Sequence, residues 1–433
     1  MNGLYSFFFA SSFELNGFFF DTFFFISLRT SPSIQYNFIA NMTDGKKYMA
    51  VNGCLHGQFE QLLNLIDAPK TDLLLLLGDL QLLSRKQDLS SCSIPYKYTY
   101  GGDISKITDF ERIMNDKNDE LAQSLQQIGL VLGIGGNHEN MGLLEKLPFG
   151  GFVLPNFFFM GFCNIIKYKG LKICGVSGIV NDFNLYKDRE FGFSKNKGLE
   201  QTQWWRMNKV SSYHVRLFEV LPLLLYEHDD VDFVMTHDWP QNVFHNKDPD
   251  IENRLLKIKP YFRDDIKSGK LGSNLYDKIM DNLRPEIWFS AHLHVKYNTT
   301  INYGNGDSTQ FVALDKLMPR RLADGIKQFE FPGESNAQDI GNCYIELDED
   351  FLKVQKWCYQ NKEKIFKEMM ILESNSVEFE NVLNKLKHWY AEQKDAIVIE
   401  DALLKPFYDE AVEEYTKQYL SVNLGINAGP FFP

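Results

Sequence analysis

Cysteine is scarce in this chain and follows no framework. Six residues (Cys54, Cys92, Cys163, Cys174, Cys343 and Cys358) are scattered over 433 positions. That excludes a disulfide-stapled scaffold and points to a reducing compartment. Positive charge is also short. The chain has 45 Lys and Arg against 57 Asp and Glu, a net charge of −12. Such a balance excludes nucleic-acid binding through a generally basic surface, but leaves room for a local groove or bound cations that hold phosphate. No internal repeat is present, and no membrane partner is expected. The nearest approach to a bilayer span is residues 1–42, with the triplets Phe7 to Phe9, Phe18 to Phe20 and Phe23 to Phe25. Glu14 and Asp21 interrupt it, which spoils a span. It also lacks a basic leader and a small-residue cleavage site. It is expected to be an extension outside the fold, with Met42 as the functional beginning.

What remains is globular in composition, 44% hydrophobic and 24% charged. The length suits one catalytic domain plus an appendage. Short apolar runs at Tyr48 to Val51, Leu73 to Leu77, Val131 to Ile134, Leu171 to Val176, Asp232 to Thr236, Ile287 to Ser290 and Phe311 to Leu314 predict buried strands. Helical periods lie over Gln58 to Asp67, Asp109 to Ile128 and Leu275 to Leu283. The expected core is an α/β sheet sandwich covered by helices, over residues 43–325. Residues 178–212 mix Asn, Lys, Asp and Gly with Phe183, Tyr186, Phe191, Phe193, Trp204 and Trp205 and show no long period. A surface loop is expected there. Its Lys187, Arg189, Lys195, Lys197 and Arg206 fit a nucleic-acid contact, and a solvated, partly packed loop fits equally well. Residues 326–433 are acidic and read as helical, over Asn361 to Glu373, Val377 to Gln393 and Pro406 to Tyr419.

The chemistry-bearing residues follow the predicted strands, where α/β sheets place their sites. Five segments stand in order: Cys54-Leu55-His56-Gly57, Gly78-Asp79, Gly136-Asn137-His138-Glu139, His237-Asp238-Trp239-Pro240 and Ala291-His292-Leu293-His294. Cys54 and His56 are two apart, which turns both side chains the same way on extended backbone. Asp79 offers a carboxylate able to bridge two cations. Asn137 adds a neutral oxygen. Imidazole and carboxylate donors suit Zn, Mn or Fe. A lone histidine is usually a core or surface residue, but five of the nine fall inside these segments. Two cations about 3.5–4 Å apart can activate water and neutralise the charge on a phosphorane.

This pattern resembles the calcineurin-like metallophosphoesterase superfamily over roughly residues 46–320. The resemblance implies a double β-sandwich flanked by helices. It also implies one metal held by Cys54, His56, Asp79 and His294, and another held by Asp79, Asn137, His237 and His292. Asp79 would bridge, and His138 would protonate the departing oxygen. Most of that superfamily has Asp where Cys54 stands. A thiolate is softer and favours Zn or Fe(II) over Mg, with one or two divalent ions bound.

Protein Ser/Thr phosphatases are a poor match, because Leu80-Gln81-Leu82-Leu83-Ser84 follows Gly78-Asp79 and Gly135 replaces their arginine. The sequence is more similar to the RNA lariat debranching enzymes. The runs that carry this are Gly135 to Glu139, Pro148 to Gly151, Gly175 to Ile179, Ser212 to Arg216, Thr236 to Pro240, Leu271 to Ser273, Trp288 to Lys296 and Ala313 to Lys316. Tyr100 to Gln127 departs from the pattern. The resemblance implies hydrolysis of the 2′,5′-phosphodiester at the branch of excised intron lariats, leaving a linear RNA with a 5′-phosphate and a free 2′-hydroxyl. It implies nuclear residence, branched RNA as partner without DNA specificity, and splicing or intron-turnover factors nearby. Residues 178–212 take the place of the lariat recognition loop, where aromatics would stack splayed bases. Glu139, Asn140, Tyr213 and Arg216 are expected to contact substrate, and Tyr213 and Arg216 fit a helix start equally well. Two other readings remain: a metallophosphoesterase acting on small phosphodiesters or phosphoproteins, and a non-catalytic RNA- or spliceosome-binding relative, which would be marked by a lost ligand.

Overall fold

The computed structural model describes residues 46–192, 199–228, 230–244, 249–304, 306–333, 345–372 and 378–399. The Phe-rich segment 1–42, Phe193, Lys195, Lys197 and the expected helix 406–419 lie outside the described residues.

Among the described residues thirteen strands form two sheets. The first sheet holds β1 (Tyr48–Asn52), β2 (Thr71–Leu76), β3 (Leu130–Gly133), β4 (Gly151–Leu154), β5 (Phe157–Phe159) and β12 (Ile326–Glu330), in the order β12-β1-β2-β3-β5-β4. The second holds β6 (Cys163–Tyr168), β7 (Leu171–Val176), β8 (Phe233–Thr236), β9 (Ile287–Ser290), β10 (Tyr297–Asn302), β11 (Ser308–Ala313) and β13 (Glu346–Leu347), in the order β10-β11-β9-β8-β7-β6-β13. β1, β2, β3 and β5 run parallel, as do β7, β8, β9 and β11.

The strands read as unbroken apolar runs because both faces are covered. Strand alternation assigns each residue to a layer. Met49, Val51, Leu73, Leu75, Leu130, Leu132 and Phe158 face Ile173, Phe233, Met235, Ile287, Phe289 and Val312 in one buried layer between the sheets. Ala50, Leu74, Leu76, Val131, Phe157 and Phe159 turn outward under helices such as Phe59–Leu63 and Glu120–Gln126. On the far side Cys174, Val234, Trp288 and Phe311 pack beneath the helices Leu217–Leu225, Asn274–Leu283 and Glu349–Gln360. No helix among the described residues is long and apolar enough to cross a membrane.

Several expectations shift. A boundary at 325–326 falls just before β12, which pairs antiparallel with β1 from Tyr48↔Glu330 to Asn52↔Ile326. Residues past 325 therefore complete the catalytic sheet. The run 109–128 breaks into two helices, Phe110–Asn115 and Glu120–Gln126. The second is capped by Asp119, whose side chain accepts from the Leu121 N–H, so the break has its own start signal. Residues 178–212 hold a 14-residue helix, Leu199–Ser212. Its apolar stripe is too thin to show as a period. The helix Glu349–Gln360 lies in the region read as helical but ahead of the spans expected there. It begins at the buried Asp348, whose carboxylate accepts from the Phe351 N–H and meets Lys167 and Lys172 of the second sheet.

Leu75 is fully buried between the sheets. Leu75→Ala is expected to destabilise the protein by about 3 kcal/mol, the scale of a cavity left in a packed core. A lower urea midpoint with an unchanged slope is the readout.

Candidate metal centre

Every predicted ligand leaves the C-terminal end of a parallel strand. Cys54 and His56 follow β1, Asp79 follows β2 and Asn137 follows β3. His237 follows β8, and His292 and His294 follow β9. The two sheets meet at this end. The His237 Nδ1–H donates to the Leu77 carbonyl at 2.7 Å, and the His292 N–H points to Cys54 Sγ at 3.2 Å.

Cys54, His56, Asp79 and His294 place their donor atoms within 4.8 Å of one another. His56 Nε2 and His294 Nε2 are 3.1 Å apart. The second group is built around His237. Since its Nδ1 carries the proton given to Leu77, the neutral ring turns a lone pair at Nε2 toward Asn137 Oδ1 at 3.2 Å and Asp79 Oδ1 at 3.4 Å. Three acceptors converge there with no hydrogen between them, an arrangement that fits a cation. The His292 ring lies beside His237, centroids 5.1 Å apart. Asp79 addresses both groups, with Oδ1 toward His237 and Oδ2 3.6 Å from His56 Nε2.

Electrostatics favours ligand-competent forms. Burial lowers the pKa of His237 to about 4 and of His294 to about 3, and lowers that of His56. The imidazoles are thus neutral at pH 7, as metal binding requires. Burial pushes the Asp79 carboxyl up, but His237, His56 and His138 hold it well below the usual carboxylate range. Burial, with the nearby Asp79 charge, pushes the Cys54 thiol well up. A bound cation is what makes such a thiol a thiolate. The five described cysteines, Cys54, Cys92, Cys163, Cys174 and Cys358, are all free and buried.

The backbone is bent to make this geometry. Among the described residues eight other than glycine have positive φ, and five of them, His56, Asp79, Gln81, His292 and His294, are at this centre. Left-handed conformations of this kind cost roughly 1–3 kcal/mol each and cluster at functional sites. Two glycines allow the close approach. A Cβ on Gly78 would lie 2.4 Å from His237 Nδ1, and one on Gly136 would lie 2.4 Å from Asp79 Oδ1.

His138 stands beside the first group, its ring 5.5 Å from that of His56. The His138 N–H donates to Asp79 Oδ1 at 2.8 Å, and the Nδ1–H donates to the Ser93 carbonyl. That leaves Nε2 as the nitrogen able to meet a substrate. Tyr213 is half-buried and also bonds Ser93, so it stands at the rim.

Three of the four expected substrate contacts are turned inward. Both Glu139 carboxylate oxygens are used, accepting from the N–H groups of Leu80, Gln81 and Gly136 at 2.8, 3.1 and 2.7 Å. Burial and the Asp79 charge push its carboxyl up to about 8 against those bonds. Asn140 is buried between Ser91 Oγ and the Leu82 carbonyl. Arg216 gives its guanidinium to the carbonyls of His214 and Ser211. These residues hold loops in place.

The 178–212 segment is likewise more packed than a loop reading implies. Arg189 is buried, doubly bonded to Glu219 and stacked 3.8 Å over Phe162. Trp205 is buried with the edge of Trp204 against it, Phe191 packs toward Phe162, and Tyr186 lies against the core. Of its described aromatics only Phe183 is largely exposed. Lys316 is a further charged residue of this centre. It follows β11, and its charge is felt by Cys54, His56 and His294. Its place in the run Ala313 to Lys316 was the available signal.

Gly136→Ala should push Asp79 and His237 apart while leaving the sheets intact. Metal affinity is expected to fall roughly 10–100-fold, the scale of a displaced ligand support. Metal stoichiometry after gel filtration, with an unchanged circular dichroism spectrum, checks this.

Comparison with known proteins agrees with the geometry. The family model for calcineurin-like phosphoesterases matches residues 49–296. The chain is 38% identical over 263 residues to the lariat debranching enzyme of Saccharomyces cerevisiae, covering 60% of this chain and 59% of that one. It is 31% identical over 319 residues to the enzyme of that name from Homo sapiens, covering 71% and 53%. Identity to its Arabidopsis thaliana counterpart is 32% over 315 residues, covering 71% and 68%. The chain thus spans less than two thirds of the first two relatives and slightly more of the third. It belongs to the calcineurin-like phosphoesterases and, among them, to the family of the lariat debranching enzymes.

Proposed function

We propose that this protein hydrolyses the 2′,5′-phosphodiester at the branch point of excised intron lariats, releasing linear RNA for turnover. One observation carries the reading. In a chain related to lariat debranching enzymes, a buried thiol, Cys54, joins His56, Asp79 and His294 in one donor cluster beside His138. The first cation would sit on that cluster, and the second on Asp79, Asn137, His237 and His292. Fe(II), Zn and Mn are the metals proposed, since Cys54 and the imidazoles favour the borderline ions Fe(II) and Zn, and the Asp79 and Asn137 oxygens suit Mn. When bound they supply an activated water and offset charge at phosphorus.

The chain's own residues do the rest. The Ser93 carbonyl accepts from His138 Nδ1–H and so leaves Nε2 to face the substrate. The His138 ring can then give the Nε2 proton to the departing 2′-oxygen. Asp79 reinforces its position by accepting the His138 backbone N–H. His237, His292 and His294 lie where charge develops, and Lys316 adds a cation near the first cluster for a nonbridging phosphate oxygen. Phe183, Lys187, Arg206, Lys209 and Tyr213 are among the described residues of the 178–213 region that reach solvent and could face RNA. Nuclear residence and contact with splicing or intron-turnover factors follow from the substrate.

His138→Ala is expected to keep its metals and lose turnover by roughly 10²–10⁴-fold, the worth of a general acid. Normal cleavage by that variant would assign the proton to another group. Lys316→Ala should lower kcat/KM roughly tenfold or more, as expected for one lost charge-assisted contact, with metal content retained. The function itself is tested by offering a 2′,5′-branched RNA, its linear 3′,5′ counterpart and a simple phosphate ester under reducing conditions, with Fe(II), Zn or Mn. Release of the branch alone is the expected result. An inert branch with a turned-over simple ester would move the protein to the general phosphoesterases.

A further inference from the structure

Among the described residues five aromatic side chains are largely exposed: Tyr96, Tyr98, Tyr100, Phe183 and Tyr261. Three of the five lie within five positions of one another, at 89%, 49% and 53% exposure. Single exposed rings are ordinary, but a run of three on one strap marks a contact surface. The strap is held in shape by its own backbone. The Tyr98 N–H donates to the Pro95 carbonyl at 2.8 Å, Thr99 to Tyr96 at 3.0 Å and Gly102 to Thr99 at 2.7 Å.

Cations accompany the rings. The Lys97 ammonium is 4.7 Å from the Tyr98 ring centroid. Lys86 lies against the end of the strap, since a Cβ on Gly102 would come within 2.5 Å of its Cε. Both lysines are exposed, and neither is seen paired with a carboxylate among the described residues. In a chain of net charge −12, two free cations beside three exposed rings form a local exception. The strap is also continuous with the metal centre. The Ser93 carbonyl holds His138, and three residues of chain from Ser93 to Tyr96 span at most about 11 Å.

We propose that residues 95–102 are a stacking strap for an unpaired arm of the RNA that leaves the branch, with bases on Tyr96, Tyr98 and Tyr100 and phosphates facing Lys86 and Lys97. This rests on the reading that the centre acts on branched RNA. Flat rings with nearby cations suit single strands because every base has a π face, so the contact tolerates any sequence. The strap supplies what most of the buried aromatics of residues 178–212 do not.

The test measures binding by fluorescence anisotropy in a His138→Ala background, so that substrate stays uncut. One labelled branched RNA carries single-nucleotide arms and another carries arms of several unpaired nucleotides. The longer arms should tighten binding. In Y96A/Y98A/Y100A that advantage should shrink by roughly tenfold or more, the worth of at least one stacked base. The Y96F/Y98F/Y100F counterpart should keep it, because stacking needs the ring and not the hydroxyl. If the alanine variant keeps the full advantage, or the phenylalanine variant loses it equally, the proposal is overturned and the strap serves another partner. Cleavage by protein with an intact His138 is scored separately and decides the debranching reading, so the two failures are distinguishable.

Discussion

The carboxylate of Asp79 is the contact on which both halves of the centre depend. One oxygen takes the His138 N–H and faces His237, while the other faces His56. Its negative charge is kept in a nearly inaccessible place by three imidazole rings and one amide. An isolated buried carboxylate would instead take up a proton. The His237 and His294 rings cannot supply a full counter-charge near pH 7, because burial lowers their pKa values. Divalent cations would resolve that imbalance, so the electrostatics of these groups selects for positive charge.

Fold and site answer to the same geometric demand. Parallel strands deliver their C-terminal ends to one edge of the sandwich, and the inter-sheet layer brings the two edges within hydrogen-bond reach. Side chains long enough to coordinate would then collide unless some positions gave up their Cβ. Gly78 and Gly136 do so. Four of the proposed ligands, His56, Asp79, His292 and His294, take the left-handed conformations that glycine would accept more readily. The centre is therefore strained, and the buried layer beneath it must be well packed to hold it.

Much of this was legible because it depends on short-range regularities. Strands buried on both faces announce themselves as apolar runs, and ligands placed just after them stand out. The parts that were not legible depend on partners far away in sequence. Glu139 and Asn140 looked like site residues because they adjoin Asn137 and His138, but only the fold shows three backbone N–H groups closing on Glu139. Arg189 and Arg216 read as cations for RNA until Glu219 and a ring of carbonyls appeared beside them. The helix Leu199–Ser212 buries little beyond Trp205, so no stripe revealed it. β12 is half polar and gains its place only by lying along β1.

That last pairing has a consequence for how the chain is made. The strand that carries Cys54 and His56 at its end leaves the ribosome early, and its edge partner, β12, emerges some 280 residues later. At roughly 5–20 residues per second the edge of β1 waits on the order of 15–60 s with open amide and carbonyl groups. For most of that interval the thiol and the first imidazole are present without His294, which follows β9 and completes their cluster. Synthesis thus exposes a half-built, sulfur-bearing chelator on a strand with one open edge, which makes this stretch vulnerable to misloaded metal and to edge-to-edge aggregation until β12 arrives.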